Sequence, residues 1–461
     1  MLPLYDSRSG YGDIDAKLTN GFIEKDQGNG VWVNKRPGLV IYIVDAGASG
    51  IGLGCYYWTT RDSIIAITND GKVRESFTTT VSSAANISGV YDFNQTMGTP
   101  SFLFFKNAAA AYTYSSAGVF AQVVDVNYPA ATVPGSAYLD GTMYVMDQKG
   151  NIWGSKFLNN VTTWDALNVI IPQIEPDPPT ALAKQLIYIV AFMRWTIEFF
   201  YDAANPVGTP LLPVQNAKLS MGCKDAQSIQ MIADELFFVG SNRLPSSGGV
   251  FVISGLKLKT ISTPAVDKFI AANGGGSNSW QSRRGGHTYY GLSYGTVSLV
   301  YDVTEGLWYF WKEANAALSI VASATNTRIN QEYLQESTGN TFRYFADAGF
   351  GFATDSSTPG VTTTIAVDIV TPNFDGGTRA KKFLAKLRII ADQNSSGALK
   401  ICWSDDDYKT WSPWQTVNLQ EDSPQLTQLG TFRKRAFWFR HESPTAFRMA
   451  PAEMELLAGD C

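Results

Sequence analysis

The chain has 461 residues, 45% of them hydrophobic and 17% charged, enough to bury two or three cores or one large repeat domain with a smaller partner. A net charge of −5 supplies no bulk attraction for nucleic acid, and two histidines, His287 and His441, are too few for a histidine-based metal site. The four cysteines (Cys55, Cys223, Cys402 and Cys461) show no CxxC spacing and read as reduced, buried thiols. MLPLYDSRSG lacks the basic start and apolar run of a signal peptide, and no apolar run is long enough to span a bilayer, so folding in a cytoplasm is expected.

Residues 1–30 are polar and Gly-rich without a period, and are expected to form an extended arm. In VWVNKRPGLVIYIVD, strands flank a turn at Lys35-Arg36-Pro37-Gly38. DSIIAITNDGKVRESF, from Asp62, is a hairpin with Asp70-Gly71 at its tip. SFLFFKNAAAAYTYS follows from Ser101. LDGTMYVMDQKGNIWGS, from Leu139, alternates around the loop Asp147–Gly150. A polar bridge and the loop Glu175-Pro176-Asp177-Pro178-Pro179 lead to the strand pair LIYIVAFMRWTIEFFYD, Leu186 to Asp202. Further pairs begin at Asp234 and Gly285, and TFRYFADAGFGFA from Thr341 closes the series. Between Asp234 and Gly285, ISTPAVDKFIAANG has helical spacing and predicts a short helix or loop on one face.

A strand pair recurs every ~40–50 residues, the period of a β-propeller blade. The expected architecture is therefore all-β: a propeller of five to seven blades over 31–360, then a β-sandwich over 361–461, with a boundary near Asp355–Gly360. In RKRAFWFR, Arg433, Arg435, Phe437 and Phe439 share one face of a strand, and Lys434, Ala436, Trp438 and Arg440 share the other.

The order of NKRPGL, TTWDALN, EPDPPTALA, RWTIEFFYD, MGC, VFVISGLKLKTISTPAVDKFI, HTYYGLSYGTVSLVYD, WSDDDYKTWSPW and LGTFRKRAFWFR resembles the tail hub, or nozzle, family of short-tailed bacteriophages, whose members stabilise packaged DNA. The resemblance spans nearly the whole chain. It departs in long insertions and Gly-rich tracts such as Gly274-Gly275-Gly276. It implies a non-enzymatic virion protein in a homo-hexameric ring below the portal and adaptor ring. Such a ring holds a needle, plug or tip, meets tailspike or fibre proteins, and passes viral DNA through its lumen without reading its sequence. No catalytic residues come with the family.

For ring contacts, the residues offer Arg433, Arg435 and Arg440, with Lys434, in the densest basic stretch, and His287 beside Arg283 and Arg284. The competing readings are solvated strand charges that blunt a sheet edge, which is preferred, and ordinary loop surface. Trp308-Tyr309-Phe310-Trp311 is either a sticky edge or, as preferred, blade core. The alternative function is a propeller glycosidase or glycan-binding module acting on the host surface. Ser404–Trp411 resembles the Asp-box of sialidases with Tyr408 in place of glycine, and reads as a structural turn. Arg243-Leu244-Pro245 is a near miss to the sialidase Arg-Ile-Pro motif. Glu198 and Asp202 are the carboxylates such chemistry would ask for. Asp405–Asp407 lacks the alternating ligands of an EF-hand, and Asp13 and Asp15 stand alone. Without a P-loop, GxSxG elbow or HExxH motif, no cofactor, metal or small-molecule substrate is expected.

Overall fold

The computed structural model describes residues 16–25, 30–43, 50–344 and 354–458, except 84, 157–159, 173–174, 206, 245–247, 275–276, 296, 313–317, 359–360, 379 and 394–396. Almost every regular element is a strand; the one α-helix among the described residues is Pro264–Ala272. Thr263 caps it, accepting from the amide of Val266, and proline occupies its first turn.

Six consecutive stretches each fold into a meander of antiparallel strands: 52–82, 92–122, 137–170, 179–213, 222–260 and 278–311. The hairpins read from the sequence are present. Ile65 faces Glu75 across the Asp70-Gly71 tip, Tyr144 faces Gly154, and Tyr188 faces Tyr201. The Asp147 side chain organises its loop, accepting from the amides of Lys149 (2.8 Å) and Asn151 (2.9 Å) and from the indole of Trp153 (3.0 Å). A seventh sheet joins Ile320–Asn326, Gln331–Glu336 and Thr341–Tyr344 to Leu39–Ile43, which runs antiparallel to Thr341–Tyr344. Each sheet packs on the next, and Ile320–Asn326 packs on Gly52–Trp58, so the ring of seven blades closes. The closing strand comes from the far end of the chain.

The strands either side of Arg36 therefore exist but do not pair with one another. Val31–Lys35 pairs with Gly21–Lys25 and Arg448–Met449, whereas Leu39–Ile43 enters the seventh blade. The chain turns away at Arg36 because that guanidinium is buried and bound on all sides. It donates to Asn20 Oδ1 (3.1 Å), the Pro37 carbonyl (2.9 Å), the Lys312 carbonyl (2.8 Å) and Asp355 Oδ1 (3.0 Å). In the N-terminal stretch that showed no period, Lys17–Thr19 and Gly21–Lys25 are strands; residues 1–15, with Asp13 and Asp15, lie outside the described residues. So do Gly275, Gly276 and Cys461.

Within the propeller, the hydrophobic cores lie between neighbouring blades. Met143 and Val145 pack toward the second blade with Phe104 and Trp164. Tyr144 and Met146, their chain neighbours, pack toward the fourth with Leu182, Ile189 and Phe200. Every residue of Thr142–Met146 is buried. Alternation along a blade strand thus divides two cores rather than core from solvent. Trp308 and Phe310 belong to the core between blades five and six, Tyr309 and Trp311 to that between six and seven, so the aromatic run is core. Burial of each such ring contributes roughly 1.5–3 kcal/mol.

The C-terminal strands do not stand apart from the propeller. The sixth blade continues from Leu307–Trp311 through Lys17–Thr19 into Val367–Val370, Ala436–His441, Ala398–Ser404 and Gln415–Asn418, one nine-stranded sheet. A second sheet, centred on Lys382–Arg388, faces it across a core holding Ile369, Leu384, Leu387, Ile401, Phe437 and Phe439. Thr354–Thr358, in the stretch whose composition marks a boundary, pairs with the seventh blade's strand at Ser356 and Val40.

Candidate functional site

The four basic residues marked by the sequence do not form one patch. His287 is 5% exposed, and its Nδ1 lies 2.7 Å from Asp302 Oδ2. Its ring stacks on Tyr289 and meets Phe22 edge-on. Arg435 is 1% exposed: Nε and Nη2 clasp the Asp405 carboxylate at 2.7 and 2.8 Å, and Nη1 donates to the Leu429 carbonyl. Arg440 pairs with Asp368 (2.6 and 3.1 Å), which also accepts from the Trp438 indole. Ala436–His441 lies between Val367–Val370 and Ala398–Ser404, inside the sheet. The readings of His287 as loop surface and of Arg435 and Arg440 as solvated edge charges are corrected, because each of these three is spent on a carboxylate of its own chain. Arg433 alone of the four is exposed.

The hydrogen bond that the His287 imidazolium donates to Asp302 raises its pKa above the ordinary 6.5, against the opposing pull of burial. A raised folded-state pKa stabilises most below the unfolded value, and that contribution is lost as pH rises through the folded one. The stability difference between wild type and His287→Gln should therefore be largest below pH ~6.5 and shrink above it. Urea denaturation over a pH series measures this; a gap that widens with pH refutes the assignment.

The sialidase-like stretch is a turn. Asp406 accepts from the amide of Thr410 (2.9 Å), its hydroxyl (2.6 Å) and the Ser404 hydroxyl (2.8 Å). Those bonds pull its carboxyl down to about 2. Tyr408 stands at φ 65° where the motif has glycine, and its hydroxyl donates to the Thr371 carbonyl. Asp405 pairs with Arg435, and Asp407 with Lys434 and Asn373. All three aspartates have partners in the protein, and among the described residues no three His, Cys, Asp or Glu side chains could hold a metal. Glu198 is buried within the fourth blade while Asp202, on the same strand, is half-buried at its end. Burial pushes the thiols of Cys55, Cys223 and Cys402 up to about 12, as suits packing rather than nucleophilic residues.

The motifs that look separate in sequence converge between blades four and five. From the EPDPP loop, Asp177 Oδ2 accepts from the amide of Trp195 (2.8 Å) and the hydroxyl of Thr196 (2.9 Å), fixing the tip of RWT. Arg194 donates to the Lys224 carbonyl (2.7 Å), just past MGC. Gly222 lies so close beneath the tip that a Cβ there would stand 2.3 Å from Trp195 N and 2.4 Å from the Met193 carbonyl oxygen. Glu175 pairs with Lys218 and with Arg243, the latter at 2.8 Å, and Arg243 covers the Trp195 ring. The Arg-Leu-Pro resemblance is thus one half of a surface ion pair; Pro245 lies outside the described residues. The site joins and presents loops; nothing in it pairs a nucleophile with a base. Sequence order alone could not find it, since its parts come from an inter-blade loop, two hairpin turns and the first strand of the fifth blade.

No helix among the described residues is long and apolar enough to cross a membrane. Residues 33–314 match the family model Phage_stabilise, described as Bacteriophage P22 Gp10, beta-propeller. No curated protein sequence matches the chain. Among solved structures, "Structure of U3-55K" aligns with TM-score 0.43 and 8% identity over 67% of this chain and 100% of its own. "Crystal structure of RRP9 WD40 repeats" aligns with TM-score 0.44 and 9% identity over 68% and 100%. With well over half its length matched and its strands closed into blades, the chain belongs to the Phage_stabilise β-propeller family and is a phage structural protein.

Proposed function

We propose that this protein is one subunit of a phage tail hub, or nozzle: a homo-hexameric ring docked below the portal and its adaptor ring. The ring extends the DNA channel and, with a needle, plug or tip, retains packaged DNA until ejection; tailspikes or fibres attach around it. The family match over 33–314 is the observation that carries this reading. The charge pattern supports it. A conduit must let a polyanion slide, and the densest basic stretch of the chain spends Lys434, Arg435 and Arg440 on its own aspartates rather than on a row that would hold phosphates. Three buried, unpaired thiols suit assembly in the reducing host cytoplasm. A role in assembly rather than catalysis is supported by Glu198, which lies buried inside the fourth blade apart from the half-buried Asp202 that the glycosidase reading would pair with it.

Light scattering of the purified protein and electron microscopy of purified virion tails test this. A closed ring of subunits at the tail axis is expected. A protein that stays monomeric at every concentration and is absent from tails overturns the reading, and hydrolysis of host-surface polysaccharide would install the enzyme in its place.

A further inference from the structure

In an antiparallel meander, the turn after the first strand and the turn after the second open on opposite faces of the propeller. Two cavities of opposite charge use these two kinds of turn.

The first cavity, about 600 Å³, lies between blades three and four. It gathers Asp140, from the turn after the third blade's first strand, Asp165 from that blade's last strand, and Asp202 from the end of the fourth blade's third strand. Lys156 is the one cation in its lining. Asp165 and Asp202 accept only from nearby amides, of Leu167 and Ala204, and none of the three aspartates has an ion-pair partner among the described residues. Asn168 also lines the cavity. It is 7% exposed, its Nδ2 donates to the Ser155 carbonyl, and its Oδ1 has no partner in the protein. The wall is rich in acceptors and short of donors, so it fits a cationic group that brings its own N–H bonds. Leu167, 68% exposed, and Val207, 81% exposed, flank it; a Cβ on Gly208 would lie 3.8 Å from the Leu167 carbonyl oxygen, which sets the two side by side.

The second cavity, about 540 Å³, lies at the tip of RWT on the other face. Arg194, Lys224 and Lys268 line it, with Asp267 as the one carboxylate. Leu244, 68% exposed, stands on its rim. Each face therefore pairs like charges with exposed apolar side chains, and the signs are complementary.

We propose that these two faces dock on one another between copies of this chain, the acidic cavity of one subunit receiving Arg194, Lys224 and Lys268 of the next. A contact between two different faces of identical subunits is heterologous and closes into a ring when its rotation allows. The inference rests on the ring reading above and assigns its subunit contact. The exposed apolar side chains at each rim are then covered by the neighbour, and opposed charges set which face meets which.

Charge reversal tests it on the full-length protein. The acidic-face variant is Asp140→Lys with Asp165→Lys; the basic-face variant is Lys224→Glu with Lys268→Glu. Circular dichroism and thermal melts first establish that both fold. Each variant alone should associate at least ~10-fold more weakly than wild type by sedimentation, and mixing the two should restore association because every junction regains opposite signs. Association of wild type should weaken as salt rises. If wild type assembles and either reversal leaves assembly unchanged, the ring stands and this interface is wrong. If both reversals break assembly and the mixture stays apart, charge pairing between these faces is refuted. If the basic-face reversal spares self-association but releases a different tail protein from particles, that protein is the occupant and the proposal falls. A wild type that never self-associates overturns the ring reading and this interface together.

Discussion

Arg36→Ala should cost the folded chain about 3–5 kcal/mol, because it leaves the Asp355 carboxylate buried without its counter-charge. Both side chains are 1% exposed in their ion pair. The Arg36 guanidinium also donates to Asn20, Pro37 and Lys312, and Asp355 Oδ1 accepts from the Leu39 amide at 3.0 Å. Asn20, held at φ 56°, joins the same network by accepting from the Lys312 amide and donating to the Ala366 carbonyl. One guanidinium thus ties the N-terminal strands, the closing strand of the seventh blade and the segment leading to the C-terminal sheets. Its loss should loosen blade closure as well as lower stability. Chemical denaturation gives the free energy, and limited proteolysis near Leu39–Ile43 reports the loosening. Arg36→Met combined with Asp355→Leu should recover most of the loss, since removing both charges also removes the desolvation cost. A cost below ~1 kcal/mol for Arg36→Ala would mean that the pair is open to water.

The local elements were legible and their long-range partners were not. Asp70-Gly71 and Asp147–Gly150 mark their hairpins because turn chemistry lies in adjacent residues. The helical spacing of Val266, Phe269 and Ile270 likewise lies in nearby residues, and the helix Pro264–Ala272 is there. The pairing of Leu39–Ile43 with Thr341–Tyr344 joins residues ~300 positions apart, and neither strand carries a local mark of the other. The first strands of blades were also hard to see. Asp92–Gln95 and Ala137–Leu139 are four and three residues long, too short to show a period. Blade strands such as Thr142–Met146 are apolar on both faces, so period two fades where burial is most complete. A charge count cannot show which cations are spent within the fold, so Arg435 and His287 read as surface although each is held by an aspartate. At the RWT site the individual motifs stand out, but their meeting depends on two blades packing side by side.

The glycine of MGC is the sharpest test of that meeting point. Gly222 opens the broken first strand of the fifth blade, pairing with Ser241, while Cys223 pairs with Gly240. Its backbone conformation is one that any residue can adopt; what excludes a side chain is the backbone of Met193, Arg194 and Trp195, whose atoms would lie 2.3–2.4 Å from a Cβ. Those atoms belong to a hairpin tip held by Asp177, so they cannot yield without breaking the bonds to the Trp195 amide and the Thr196 hydroxyl. Gly222→Ala should therefore destabilise by ~1–3 kcal/mol or more, at the upper end for an added methyl because backbone rather than a flexible side chain stands in its way. Asp177→Ala frees the tip, so the double variant should cost less than the sum of the two single changes. Urea denaturation of the four proteins in that cycle measures the coupling. Additive costs would show that the tip and the MGC strand do not constrain one another, and that blades four and five are joined elsewhere.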